Sequence, residues 1–160
     1  MAACNIGPGD EVITPGLTVV MDAYAVIHVG ATPVFVDIDR ATYGISAQEI
    51  QKNITDKTKA IITVSLQGLS VDMDPISKLC DSHGITLIED AAEALGSEYK
   101  GIKAGALSTL AAFSFFGNKT ITTGEGGMVV TNDGQLAHLI LHPISWVISM
   151  VMVAGMFWIL

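Results

Sequence analysis

The sequence has few basic residues, few cysteines and few aromatic residues. Lysine and arginine number 8 against 16 aspartates and glutamates, which gives a net charge of −8. The basic residues are scattered singly, and this acidic balance argues against a nucleic-acid-binding protein. The two cysteines, Cys4 and Cys80, have neither a metal-binding spacing nor the pattern of a secreted disulfide framework. We therefore expect neither nucleic acid nor a metal ion as a partner, and we expect both cysteines to fill the core.

The sequence also lacks a signal peptide, an internal repeat and any segment of low complexity. The first five residues, Met-Ala-Ala-Cys-Asn, have no basic flank and no apolar region, and this predicts a cytoplasmic protein. Only 15% of the 160 residues are charged, whereas half are hydrophobic. The chain therefore has enough apolar material for one domain with a sizeable core.

The last segment of the sequence is a long run without charged residues. Residues 143–160 contain no charged residue, and about 18 apolar residues is near the lower limit for crossing a bilayer. No basic flank is present to orient such a span. Three interpretations stay open: an out-of-frame or chimeric segment, which we favour, a membrane anchor, and a buried helix. We expect residues 1–140 to be the folded domain and residues 141–160 an apolar tail of uncertain origin.

Short apolar runs alternate with helix signals through the rest of the chain. The predicted strands cover residues 11–14, 33–38, 60–64, 85–88, 110–115 and 128–130. The predicted helices begin at Leu17, Ser46, Asp74 and Asp133; Ser46 opens a capping-box pattern. Strands that alternate with helices at short spacing indicate βαβ units and a largely parallel sheet. The continuous apolar strands indicate helices on both faces of that sheet.

The segment from Phe113 to Gly127, F-S-F-F-G-N-K-T-I-T-T-G-E-G-G, contains the leading functional candidate. Its aromatic run predicts a buried strand, and Lys119 follows the Gly117-Asn118 turn. A lysine held in a cleft past a strand end is partly desolvated and can act as an amine nucleophile. For a lone lysine, a solvated loop position is the commoner outcome. The neighbouring residues therefore decide the interpretation.

Asp90 and Ser114 are the residues that favour a functional Lys119. The predicted strand 85–88 is followed by Glu89 and Asp90. Asp90 either caps the next turn or pairs with a cationic nitrogen. Ser114 would face the cleft if Phe113 and Phe115 face the core, and a local hydrogen bond is its alternative. A lysine amine, an aspartate for a pyridine nitrogen and a hydroxyl for a phosphate are the groups that pyridoxal 5′-phosphate (PLP) requires.

Several motifs resemble one known family. They are Glu89-Asp-Ala-Ala-Glu-Ala94, Tyr99-Lys-Gly101, the segment from Phe113 to Met128, Gly7-Pro-Gly-Asp-Glu-Val12 and Gly30-Ala-Thr-Pro-Val-Phe-Val-Asp37. Together they resemble the DegT/DnrJ/EryC1/StrS family of PLP-dependent sugar aminotransferases, in its perosamine synthase branch, over roughly residues 6–139. The resemblance implies the large domain of the aspartate-aminotransferase fold (fold type I), an α/β domain that is incomplete here because the family pattern extends beyond both ends.

The resemblance also assigns roles by position. It implies that Lys119 is the catalytic lysine that holds PLP as a Schiff base, that Asp90 pairs with the pyridine nitrogen, that Glu93 lies against the cofactor ring, and that Ser114 binds the phosphate. It further implies glutamate as the amino donor, a nucleotide-linked keto sugar as the acceptor, in particular a GDP-4-keto-6-deoxy sugar, and a homodimer. Val19 departs from the pattern, because the family usually has an aromatic residue there.

Three functional hypotheses follow from these observations. The first is the PLP-dependent sugar aminotransferase, or its cofactor-binding part, and it is favoured by Asp90, Ser114 and Lys119. The second is a family fragment without catalysis, which is favoured by Val19 and by the family segments that the sequence does not contain. The third is a membrane-tethered binding module, which is supported by the apolar tail alone.

Overall fold

A computed structural model describes residues 1–141, 150–153 and 156–158. Four α-helices lie in this part of the chain: α1 Met21–His28, α2 Ala47–Asn53, α3 Met73–His83 and α4 Gly134–Leu141. The strands in the same part are β1 Glu11–Pro15, β2 Thr32–Val36, β3 Thr58–Val64, β4 Thr86–Asp90, β5 Glu98–Tyr99, β6 Ile102–Lys103, β7 Leu110–Ser114, β8 Gly127–Thr131, β9 Met150–Val153 and β10 Met156–Trp158. Short 3₁₀ turns occur at Ala2–Cys4 and Leu66–Gly68.

A single sheet organises the fold, with strand order β10-β9-β8-β7-β4-β3-β1-β2. The five neighbouring strands from β7 to β2 are all parallel. Strand β8 pairs antiparallel with β7 and parallel with β9, and β10 is antiparallel to β9. The predicted α/β fold with a mainly parallel sheet is therefore confirmed.

Helices cover both faces of the sheet, as the apolar strands predict. One core cluster joins Val26 of α1 and Leu136 of α4 to Val12, Ile62 and Ile88. The opposite cluster joins α2 and α3 to the alternate strand residues; its members include Ile50, Ile76, Ile13, Ile61 and Leu87. Successive strand residues point to opposite faces, so runs such as Val12-Ile13 supply both clusters at once.

The helix boundaries follow the predicted signals in part. The Ser46 side chain accepts a hydrogen bond from the Glu49 N–H at 3.4 Å, as the capping pattern predicts, and Gly84 ends α3 in the left-handed region with a φ of 65°. Two predicted starts were wrong. Helix α1 begins at Met21 rather than at Leu17, and α3 begins at Met73 rather than after Asp74. Propensity alone does not separate a capping turn from the first helical turn.

Two features of the strands were not predicted from the sequence: a separate two-stranded sheet and the direction of β8. Strands β5 and β6 form a two-stranded hairpin through Lys100 and Gly101, whose φ values are 50° and 82°. Each of these strands has only two residues, which is too short for a periodic pattern. The antiparallel direction of β8 was also missed, because strand direction depends on the glycine-rich connection rather than on the strand's own residues.

The apolar tail lies partly outside the described residues, at positions 142–149, 154, 155, 159 and 160. The backbone at Met150–Val153 and Met156–Trp158 is extended and joins the sheet next to β8. The buried-helix interpretation is therefore wrong for those two segments. Within the described chain, no helix combines the length and the hydropathy that a membrane crossing requires.

Candidate active site

A cavity of about 640 Å³ opens at the carboxyl ends of the central parallel strands. Strand ends β3, β4 and β7 form its base, and the segment entering α1 forms one side. All four residues assigned in the sequence analysis line it: Asp90, Glu93, Ser114 and Lys119. In parallel α/β sheets, ligands bind beyond the carboxyl ends of the strands. This cavity is therefore the candidate site of the described chain.

Lys119 is oriented by an ion pair inside the cavity. Its Nζ lies 3.3 Å from Oε1 of Glu93, and only 14% of its side chain is exposed. The other oxygen of Glu93, Oε2, accepts the backbone N–H of Gln67 at 2.8 Å. The Gln67 bond and the Lys119 partner lower the pKa of Glu93, against a smaller opposing effect of burial. Glu93 thus stays ionised at neutral pH and keeps the lysine amine directed into the cavity.

Asp90 occupies the last position of β4. Its Oδ1 accepts the N–H of Ala92 at 2.9 Å, so the local turn that the sequence offered as an alternative is present, and the same side chain lines the cavity. Burial raises the pKa of Asp90, whereas the Ala92 N–H and the charge of Lys119 lower it. The carboxylate is therefore destabilised by desolvation and would gain from a cationic ligand.

Ser114 ends β7 and faces the cavity. Its neighbour Phe113 is buried in a separate core cluster and Phe115 packs against that cluster, as the alternation predicts. The Ser114 hydroxyl oxygen accepts the N–H of Phe116 at 3.3 Å. Because this bond uses only an acceptor position, the hydroxyl hydrogen remains available to a ligand.

Asp22 also lines the cavity, although it was not predicted as a site residue. Asp22 lies in the first turn of α1, and its Oδ2 accepts the Thr18 hydroxyl at 2.6 Å. Burial raises the pKa of Asp22 to about 6, and the charge of Asp90 adds to this effect. The predicted helix start at Leu17 concealed this arrangement, since Thr18 precedes the helix. The signal that was present is a Thr-x-x-x-Asp spacing at a helix entry.

Val19 also lines the cavity, and 59% of the residue is exposed. An aliphatic side chain has no π-face on which a cofactor ring can stack. The departure from the family pattern therefore lies on the wall of the cavity rather than in the core. Gln67, which the sequence left between a cleft residue and a turn residue, adopts a left-handed turn with a φ of 51° and donates its N–H to Glu93.

The sequence is similar to known aminotransferases. It is 53% identical over 137 residues to the GDP-perosamine synthase of Caulobacter vibrioides, covering 86% of this chain and 37% of the relative. It is 42% identical over 142 residues to the L-glutamine:2-deoxy-scyllo-inosose aminotransferase of Streptomyces fradiae, covering 89% of this chain and 34% of that relative. The chain thus spans little more than a third of these curated relatives.

Solved structures of aminotransferases have the same fold as this chain. An aminotransferase from Psychrobacter cryohalolentis superposes with a TM-score of 0.85 at 39% identity, covering 99% of this chain and 42% of that one. The PLP-form of a sugar aminotransferase from Streptococcus pneumoniae superposes with a TM-score of 0.74 at 37% identity, covering 79% and 36%. The family profile of the DegT/DnrJ/EryC1/StrS aminotransferases matches residues 1–149. This chain belongs to the DegT/DnrJ/EryC1/StrS aminotransferase family.

Proposed function

We propose that this chain is the cofactor-binding part of a PLP-dependent sugar aminotransferase. One observation carries the proposal: Asp90, Glu93, Ser114 and Lys119, which come from two separate segments, line a single cavity at the carboxyl edge of the sheet. The match to an aminotransferase family supports it.

The side chains of the cavity fit PLP chemically. Lys119 offers a primary amine for the cofactor aldehyde, and Asp90 offers a carboxylate for a cationic ring nitrogen. Ser114 retains a hydroxyl hydrogen for a phosphate oxygen. A cavity of about 640 Å³ lies within the range of pockets that hold small ligands and cofactors.

The proposed mechanism assigns a task to each of these side chains. When bound, PLP supplies a carbonyl carbon that condenses with amines and a cationic ring that withdraws electrons. Asp90 would keep the proton on the ring nitrogen, because a nearby opposite charge favours the charged form. Nζ of Lys119 would accept the proton from the substrate carbon and return it. Glu93 would keep that nitrogen within reach between the two transfers, since it holds Lys119 at 3.3 Å.

The proposed substrates are glutamate as the amino donor and a GDP-linked 4-keto-6-deoxy sugar as the acceptor. Similarity to GDP-perosamine synthases supports the acceptor. The name of another relative specifies glutamine as its donor, so both amino acids should be compared. We further propose a homodimer, from the family resemblance, and sedimentation velocity would measure it.

Covalent labelling is the experiment that tests the cofactor proposal. The purified chain is mixed with PLP, its visible spectrum is recorded, and the complex is reduced with borohydride and digested for peptide mapping. We expect a reduced pyridoxyl group on Lys119 alone. Lys119→Arg should abolish the label, whereas Lys103→Arg should retain it, since Lys103 is an exposed partner of Glu98 on the β5–β6 hairpin.

Two results would reject the proposal. One is the absence of an absorption band at saturating PLP, and the other is a label spread over Lys52, Lys57 and Lys100. Either result favours the second candidate, a family fragment without catalysis, for which Val19 is the specific observation. If Lys119 is labelled, loss of the cofactor band on adding glutamate or glutamine would identify the donor.

A further inference from the structure

Glu89 is a fully buried acid that has no task in the mechanism above. It is 0% exposed and lies in β4 directly before Asp90. Because successive strand side chains point to opposite faces, its carboxyl group lies on the face of the sheet opposite to Asp90. An acidic side chain is almost never fully buried without partners. Its contacts therefore require an explanation.

The carboxyl group of Glu89 holds a loop against the strand. Its Oε2 accepts the backbone N–H of Gly105 at 2.9 Å, across sixteen positions of the chain. Burial raises the pKa of Glu89, and backbone N–H groups of Gly105 and Leu107 lower it. Within the described residues, Oε1 has no hydrogen-bond partner. One oxygen thus carries the connection between β4 and the segment after the β5–β6 hairpin.

Gly105 in turn lies against strand β7. Its φ is +92°, and a Cβ atom at this position would lie 2.7 Å from two ring atoms of Phe113. Phe113 is buried and directly precedes Ser114. A chain of contacts therefore leads from Glu89 through Gly105 to Phe113. Glu89 and Phe113 border the cavity, but their side chains point to the face of the sheet opposite to those of Asp90 and Ser114. This chain of contacts connects the two strands whose ends present Asp90 and Ser114 to the cavity.

We propose that Glu89 is a positioning residue of the cavity, which fixes the separation and tilt of Asp90 and Ser114 by holding Gly105 against Phe113. This inference rests on the proposed function, because Asp90 and Ser114 are taken as the cofactor-binding ends of the two strands. The hydrogen bond of the Glu89 side chain goes to the loop at Gly105 rather than to Asp90 or Ser114. Its effect passes through Gly105 and Phe113 to the ends of strands β4 and β7.

Two substitutions at Glu89 separate the effect of its hydrogen bond to Gly105 from the effect of its negative charge. Glu89→Gln preserves the side-chain volume and an oxygen that can accept the Gly105 N–H, whereas Glu89→Met preserves the approximate volume and removes the acceptor. Thr63→Val is the matched control. Thr63 is equally buried, pairs with Glu89 across β3 and β4, and its hydroxyl contacts the Ile88 carbonyl oxygen rather than the loop at Gly105.

The first measurement is PLP binding by equilibrium dialysis, corrected for the folded fraction from thermal unfolding. We expect Glu89→Met to bind about tenfold more weakly per folded molecule and Glu89→Gln to restore affinity to within about twofold. Thr63→Val should lower stability and leave the affinity unchanged. Equal affinity of the folded Glu89→Met and wild-type chains would overturn the inference and leave the proposed function intact.

The second measurement needs no cofactor. Amide hydrogen exchange reports the order of the strand ends, through the bonds from Ala91 N to the Ala112 carbonyl and from Phe115 N to the Gly126 carbonyl. We expect faster exchange at both amides in Glu89→Met and not in Thr63→Val. If the wild-type chain fails to bind PLP, the proposed function is rejected. The exchange rates of the two amides still decide whether Glu89 positions the strand ends.

Discussion

Nζ of Lys119 lies 3.3 Å from Oε1 of Glu93, and the second oxygen of the same carboxylate accepts the Gln67 N–H. One side chain thus joins the loop after β3, the turn after β4 and the loop after β7. Both interactions are stronger with the ionised carboxylate than with the protonated acid, so their contribution to stability depends on pH. This dependence gives the first prediction.

Glu93→Gln should flatten the acid limb of the stability curve: as the pH is lowered from 6 to 3, the free energy of unfolding should fall less in the variant than in the wild-type chain. The pKa of Glu93 is lowered in the folded chain, first by the Gln67 N–H and then by Lys119. A lowered folded pKa contributes stability above the unfolded value of about 4.3, and this contribution is lost as the pH falls through the folded pKa. Urea unfolding of both chains between pH 3 and pH 6 measures the difference. Glu98→Gln, at an exposed ion pair, is the control, and an unchanged acid limb in Glu93→Gln would contradict the prediction.

Asp22 should act in the opposite direction. Burial raises its pKa to about 6 in the folded chain, against about 3.9 for an unperturbed aspartate. The folded state therefore binds more protons between these values, and the stability from this group is present below about pH 4 and lost as the pH rises to 6. The difference between the two pKa values corresponds to about 2–3 kcal/mol in the free energy of unfolding.

The substitution that tests this is Asp22→Asn, which removes the ionisable group and keeps an acceptor for Thr18. We expect the variant to gain about 2 kcal/mol over wild type at pH 7.5 and little at pH 4. Urea unfolding at the two pH values measures both gains. Asp56→Asn, in the loop before β3, is the exposed control. A gain of equal size at both pH values would assign the effect to packing rather than to charge.

Gly105 and Gly96 form a matched pair for the contact with Phe113. Both have a φ of +92°, yet a Cβ at Gly105 meets the Phe113 ring at 2.7 Å and a Cβ at Gly96 meets no atom within 4 Å. Gly96→Ala should cost about 1–2 kcal/mol, the cost of a side chain at positive φ. Gly105→Ala should cost a further 1–3 kcal/mol or so, from overpacking.

A double substitution checks the cause of this excess. Phe113→Leu removes the ring that the new methyl group meets, so the Gly105→Ala cost in that background should fall towards the Gly96→Ala cost. Denaturant unfolding of the four chains gives the coupling energy. Strictly additive costs would show that Gly105 is required for its backbone conformation alone.

Local sequence signals predicted the alternating strands and helices of this fold. The apolar runs predicted as strands at 85–88 and 110–115 correspond to β4 and β7, with ends displaced by one or two residues. Ser46 and Gly84 act as the sequence predicts. The convergence of Asp90 and Lys119 also followed, because parallel strands bring their carboxyl ends to one edge. That both residues line one cavity agrees with this expectation, while their roles remain predictions.

Interactions between distant segments were not predictable in the same way. The bond from Glu89 to Gly105 crosses a hairpin of two-residue strands, which have no periodicity to detect. Asp22 lines the cavity from the first turn of α1, which begins at Met21, and helix starts depend on tertiary packing as well as on propensity. The direction of β8 is likewise a property of the folded glycine-rich segment.

Val19 gives the last prediction, a gain of cofactor affinity. The residue lines the cavity, is 59% exposed and stands where the family resemblance predicts an aromatic side chain. Val19→Phe would add a π-face beside the proposed cofactor ring, and such stacking contributes about 1 kcal/mol, or about fivefold in affinity. Because the position is exposed, the larger side chain should fit without overpacking the core.

Val19→Leu is the matched control, since it adds apolar volume without a ring. Equilibrium dialysis with PLP should show tighter binding for Val19→Phe than for wild type and no comparable gain for Val19→Leu. An equal gain in both variants would assign the effect to hydrophobic burial. No gain in either, with Lys119 labelled normally, would mean that the ring does not lie over position 19, and the residue-by-residue alignment of the cavity with the family pattern would need revision at that point.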